Sequence, residues 1–163
     1  HYDPRKRQLF LSQPVYSSNS IAALGIAAHE AGHAIQHERG YVPFKLRSAI
    51  VPAASLGSSL AFPLFFIGII FSFPILWKIG IVFFAGAVLF HLVTLPVELD
   101  ASRRALKSLS QQGLLVDSEL DGAKKVLQAA ALTYIAAAAM AILNLLRMLI
   151  LARGREERRL PHS

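Results

Sequence analysis

The sequence contains no cysteine, a single tryptophan and comparatively few charged residues. Without cysteine there is neither a disulfide framework nor a thiolate metal site, so any metal must be held by His, Asp or Glu. Charged residues make up 17% of the 163 residues, against about 25% in an average soluble domain. Apolar residues make up 54%. This composition excludes a disordered chain and argues against an ordinary water-soluble globule.

The charge that is present is mostly positive, with seventeen Lys and Arg against ten Asp and Glu. These basic residues flank apolar runs, whereas a nucleic-acid interface would show a basic stripe with interleaved aromatic residues. We therefore expect no nucleic-acid partner. Anionic lipid headgroups are the expected counterpart of this charge.

Three windows contain no Asp, Glu, Lys or Arg: residues 48–77, 79–97 and 126–146, which are thirty, nineteen and twenty-one residues long. A helix needs about twenty residues to cross a hydrocarbon core of ~30 Å, so each window is long enough to span a bilayer. Lys78 alone separates the first two, which predicts a very short turn there, with Trp77 as an interface anchor. Core helices of a soluble bundle are the alternative, but residues 62–73 lack the helical periodicity that this would require.

The basic residues are distributed unequally between the two ends of the predicted hairpin. Eleven Lys and Arg lie in residues 1–47 and 98–125, and five lie on the opposite side, counting Lys78 and the four arginines of the tail. Because the more basic side of a membrane protein is usually cytoplasmic, we expect the larger group to face the cytoplasm.

The pattern H-E-x-x-H is present once, from His29 through Glu30 to His33. On a helix, two histidines four residues apart lie on one face, one turn apart, and can bind a single ion. Glu30 lies beside them and is the candidate general base for a metal-activated water. Ser18, Asn19 and Ser20 are candidate N-caps and Gly40 a candidate C-cap for this helix.

The residues around the motif place the predicted metal site outside the bilayer. Only eight residues, 21–28, form an apolar run before the first histidine, well short of the ~20 that a span requires. Small residues such as Gly32 would let another helix approach closely. Residues 8–12 read as a short strand, which either adds a substrate as a further strand or has no substrate role.

A third ligand is expected from Glu98 or Asp100, which follow the second apolar window and return to the side of the motif helix. The two carboxylates are about 200° apart on a helix, so only one can face the metal. Asp100 has Arg103 and Arg104 three and four residues later, the spacing of ion pairs on a solvated face. We therefore predict Glu98 as the ligand, and expect loss of Asp100 to cost little.

These motifs, together with the opening His1-Tyr-Asp-Pro-Arg-Lys, resemble the YugP-type neutral zinc metallopeptidases of bacterial membranes over essentially the whole chain. The sequence is more distantly similar to HtpX and the CAAX prenyl endopeptidases, which have a membrane hairpin between the metal helix and a Glu-x-x-x-Asp helix. In that comparison Glu98 matches the ligand, and Ser102 stands where the pattern has Asp. The resemblance also implies an earlier transmembrane helix before His1.

The sequence thus predicts a mainly α, multi-pass membrane protein with a small zincin-like catalytic region, consisting of a short β segment and the H-E-x-x-H helix. We expect a zinc endopeptidase of the bacterial cell membrane, with one Zn²⁺ on His29, His33 and Glu98, Glu30 as general base, and a peptide or protein substrate. The alternatives are a site-2-like intramembrane protease and a non-catalytic metal-binding scaffold. The predicted regions are a catalytic region over residues 1–47, the hairpin 48–97, the third-ligand helix and loop 98–125, a transmembrane helix 126–152 and a basic tail 153–163.

Overall fold

The computed structural model describes residues 1–161 and is mainly helical. Its elements are β1 Tyr2–Asp3, β2 Gln8–Leu9, α1 Gln13–Ser17, α2 Ile21–Arg39, α3 Val42–Ile70, α4 Pro74–Gln111 and α5 Asp117–Arg159. The chain forms two compact units. The first unit comprises His1–Ser48 and Val93–Ile135, and the second comprises Ala49–Leu92 and the residues from Ala136 onward.

The first unit opens with a β-hairpin in which β1 and β2 pair antiparallel, with Tyr2 opposite Leu9. The Asp3 carboxylate accepts hydrogen bonds from the backbone N–H groups of Arg5 and Lys6, which holds the connecting turn. The strand predicted over residues 8–12 is shorter in the structure, where β2 comprises only Gln8–Leu9. Its last three residues belong to no strand and lead into the short helix α1.

Helix α2 carries the H-E-x-x-H motif and begins and ends at the predicted caps. The Ser20 hydroxyl accepts a hydrogen bond from the backbone N–H of Ala23, which satisfies one of the free donors of the first turn. Gly40 adopts the left-handed conformation with φ of +66°, which costs glycine little and ends the helix.

Close packing joins α2 to α4 within the first unit. A methyl group added at Gly32 would collide with the carbonyl oxygen of Ala101, and Ala101 itself is fully buried. A glycine here therefore lets the two backbones approach closely. This contact confirms that the small residues of the motif admit a neighbouring helix, and it brings the side chains on either side of Ala101 to the histidines.

In the second unit, α3 and α4 form a tight helical hairpin. The turn lies at residues 71–73, earlier than the turn predicted at Lys78. Pro74 begins α4, in agreement with the preference of proline for the first position of a helix. Trp77 is only 1% exposed and packs in the core with Phe65, so its prediction as an interface anchor was wrong.

Helices α3, α4 and α5 are long and apolar enough to cross a membrane. In the most apolar stretch of each, between 17% and 28% of the residues are buried, so large apolar surfaces face outward, as expected of helices in lipid. Helix α4 continues past its apolar window, which ends at residue 97, as far as Gln111. Glu98 therefore lies on the same helix as the second window, in the segment that belongs to the first unit.

Candidate metal centre

Three side chains of the first unit converge between α2 and α4. The Nε2 atom of His29 lies 2.7 Å from Oε2 of Glu98, and the Nε2 atom of His33 lies 3.4 Å from Oε1 of the same carboxylate. One possible ligand atom from each residue lies within 4.8 Å of the others; His33 and Glu98 are buried, and the His29 side chain is 12% exposed. The structure therefore brings together the three residues that the sequence predicted as metal ligands.

The ring of His29 contacts Ser102 through its Nδ1 atom. The Nδ1 atom of His29 and Oγ of Ser102 are 2.9 Å apart, at hydrogen-bond distance. Ser102 lies one turn after Glu98 on α4, at the position where the related pattern has Asp. Its hydroxyl contacts the Nδ1 edge of the imidazole, and the Nε2 edge of His29 faces Glu98.

The ring of His33 is held by Gln36, which the sequence did not single out. The amide nitrogen of Gln36 donates to the backbone carbonyl of Val97 at 2.8 Å and to Oδ2 of Asp100 at 2.9 Å. Both of its acceptors are on α4, so the amide oxygen must face Nδ1 of His33, 2.9 Å away. A carbonyl oxygen only accepts hydrogen bonds, so Nδ1 carries the proton and Nε2 is available to a metal.

Asp100 differs from its predicted environment. Its expected ion pairs with Arg103 and Arg104 are present, but the side chain is 5% exposed and contacts Gln36. The prediction of a solvated face was therefore wrong, because α2 covers this face of α4. Burial by itself would raise the pKa of Asp100, but hydrogen bonds from Arg104, Gln36 and Arg103 outweigh it and lower the pKa below its usual value.

Arg47 is a further residue of the site, one that the sequence presented only as a basic charge. Its Nη1 atom donates to Oε1 of Glu98 at 2.6 Å, and its guanidinium lies 5.7 Å from the ring centre of Phe44. Burial would raise the pKa of the Glu98 carboxyl, but the neighbouring His29 and His33 and the hydrogen bond from Arg47 hold the pKa well below its usual range. Glu98 is therefore an anion near neutral pH, as a metal ligand must be.

Glu30 lies outside this cluster, as the next residue on α2 must, because consecutive side chains on a helix are about 100° apart. Its carboxylate lines a cavity of about 410 Å³ that opens beside α2. The side chain is half-buried, so its oxygen atoms can meet both water and a substrate. Glu30 is thus placed next to the ligands but is not engaged by them.

The donor set fits zinc. Two imidazole nitrogens and a carboxylate oxygen are zinc ligands at about 2.0–2.2 Å, and two ligands of a tetrahedral ion then lie about 3.4 Å apart. The Nε2 atoms of His29 and His33 lie 2.7 and 3.4 Å from the two oxygens of Glu98, so the three donor groups are close enough together to hold one ion. Within residues 1–161 the cluster offers three residues that could hold an ion, the number of protein ligands found in zinc sites that keep one position open.

Comparison with known proteins relates the chain to a family named for zinc. The family described as "Putative neutral zinc metallopeptidase" matches residues 1–153. A relative from Bacillus subtilis (strain 168), described as "Putative membrane protease YugP", is 44% identical over 158 residues, which cover 96% of this chain and 70% of the relative. No solved structure matches the chain.

Proposed function

The chain belongs to the family described as "Putative neutral zinc metallopeptidase", and from this premise we propose that it is a membrane-bound zinc endopeptidase. His29, His33 and Glu98 hold the zinc ion, and Glu30 is the general base. The observation that carries this proposal is the convergence of both Nε2 atoms on Glu98, while each Nδ1 atom is engaged by a protein side chain. This orientation turns one ring nitrogen of each histidine toward the same carboxylate, as binding of one ion requires.

The chemistry divides between the ion and the chain's own residues. Zinc, when bound, supplies a Lewis acid that polarises the scissile carbonyl and makes water acidic enough to react near neutral pH. Glu30 accepts a proton from the attacking water and passes it to the amine that leaves when the peptide bond breaks. General-base assistance of this kind contributes about 100- to 10,000-fold in rate.

The position of the motif helix favours a site at the membrane surface over a site-2-like intramembrane protease. Helix α2 is not among the three helices of residues 1–161 that are long and apolar enough to span a membrane. A non-catalytic scaffold would be expected to close its metal site with a fourth protein ligand, and the cluster has three within the described residues. The absence of α2 from the spanning helices of residues 1–161 supports a catalytic region at the membrane surface. The larger number of Lys and Arg on that side supports the cytoplasmic face.

The test is the substitution Glu30→Gln in the protein purified in detergent. Gln is nearly isosteric but cannot accept the proton, so zinc stoichiometry should be unchanged while peptide hydrolysis falls by about 100- to 10,000-fold. Glu38→Gln is the matched control, because Glu38 is an exposed glutamate of the same helix. Hydrolysis by Glu30→Gln at the wild-type rate would refute the mechanism.

A further inference from the structure

The cavity beside Glu30 has no role in the zinc site itself. It is built by four parts of the first unit, namely His1, the residues that follow β2, helix α1 and the first half of α2. Its volume is about 410 Å³, and it is lined by His1, Phe10, Leu11, Ser12, Val15, Ile26 and Glu30. The candidate general base therefore forms a section of its wall.

The remaining wall is largely apolar. Phe10 and Ile26 are 39% and 41% exposed, and Leu11 and Val15 are half-buried, so each leaves apolar surface that a ligand could cover. The carboxylate of Glu30 is the acidic group of this wall. A side chain entering the cavity would thus meet these four apolar side chains, beside the polar groups of His1, Ser12 and Glu30.

The backbone at the mouth of the cavity offers a second point of attachment. The N–H of Phe10 donates to the His1 carbonyl at 2.7 Å, and the Ser12 carbonyl accepts from the N–H of Tyr16 at 2.9 Å. Between them, the N–H and C=O of Leu11 have no hydrogen-bond partner among residues 1–161. Backbone groups seldom stay unpaired once covered, so an extended peptide lying here would pair with Leu11 as one strand pairs with another.

From these two observations we propose that the cavity receives a large apolar side chain directly flanking the scissile bond, so that the protein cleaves peptides at residues such as Leu and Phe. The inference rests on the proposed function, because it takes the reacting carbonyl to lie between the zinc ligands and Glu30. It adds the class of substrate, an extended segment with an apolar residue at the cut, and the residues that select it.

The first measurement uses the purified, zinc-loaded protein and peptides that differ at one position, occupied by Leu, Phe, Ala, Asp or Lys. Mass spectrometry of the products locates the cut. We expect cleavage next to Leu or Phe, with kcat/KM about 10- to 200-fold above that for Ala, the range over which apolar pockets discriminate. Equal cleavage of all five peptides would overturn the inference.

Two substitutions change the size of the cavity in opposite directions. Val15→Trp fills it and should reduce the preference for Leu over Ala at least tenfold. Ile26→Ala enlarges it, shifts the preference from Leu toward Phe, and decides the matter if Val15→Trp fails to fold. Ile35→Ala is the matched control, because Ile35 is a half-buried isoleucine of the same helix that does not line this cavity. An unchanged preference in the folded cavity variants would refute the assignment.

Peptide binding to Glu30→Gln, followed by fluorescence anisotropy, separates this inference from the proposed function. If the Leu and Phe peptides bind best but the wild-type protein cleaves none, the cavity assignment holds and the peptidase proposal fails. If the wild-type protein cleaves without apolar preference, the peptidase proposal holds and the cavity assignment fails. Absence of both binding and cleavage would overturn the two together.

Discussion

Gln36 is the residue whose replacement best tests whether the surroundings of the zinc ligands matter. Its side chain makes three hydrogen bonds, one with His33 and two to acceptors on α4, the Val97 carbonyl and Asp100. Gln36→Leu keeps a similar volume and removes all three. The ring of His33 then loses the partner that holds it and keeps its Nε2 atom unprotonated.

The expected magnitude follows from these contacts. Replacing a residue that supports a metal ligand in this way lowers metal affinity by about 10- to 100-fold, which is about 1.4–2.7 kcal/mol. On the α4 side, each buried polar group that loses its partner costs about 1–3 kcal/mol of stability. Asp100 retains its two arginines. We therefore expect the loss of stability to lie near the lower end of this range, so the protein should remain folded.

The assay is zinc affinity, measured by competition with a chelator in detergent, with thermal unfolding measured in parallel. Gln111→Leu is the control, because Gln111 is an exposed glutamine at the end of α4, and its replacement should change neither quantity. If Gln36→Leu bound zinc as tightly as this control, the contact with His33 would have no role in the metal site, and the orientation of the His33 ring would not depend on it.

Other predictions concern the third ligand, the membrane and the hairpin. Glu98→Ala should abolish stoichiometric zinc binding, whereas Asp100→Asn should retain zinc with reduced affinity. Metal analysis of both variants checks this, and zinc retained by Glu98→Ala but lost by Asp100→Asn would make Asp100 the ligand. Topology reporters placed after α2, in the turn at residues 71–73 and after α4 should report the same, the opposite and the same side, and another order would contradict the membrane hairpin. Backbone hydrogen bonds from Lys6 and Arg5 lower the pKa of Asp3, so the hairpin should keep this support above about pH 4 and lose it at lower pH. NMR titration of Asp3 should therefore give a pKa below the usual ~3.9, and a normal or raised value would contradict the turn.

The sequence by itself determined the features that depend on local geometry. The bounds of α2 follow from a serine that caps its first turn and a glycine that ends it. The shared face of His29 and His33 follows from the helical period. Three long apolar helices could likewise be predicted, because the length of an uncharged run is itself the signal. The turn between α3 and α4 was misplaced, since residues 48–77 are uncharged throughout and Lys78 is the first charge that follows them.

Only the tertiary structure decided which side chains surround the ligands. Glu98 meets His29 across 69 positions of sequence, and that contact requires α2 and α4 to approach at Gly32 and Ala101. The same packing covers the face of α4 that carries Asp100, which the sequence pattern assigned to solvent. Gln36, Arg47 and Ser102 have no motif of their own. Their roles arise because the tertiary packing places Ser102 against His29, Gln36 against His33, and Arg47, from α3, against Glu98.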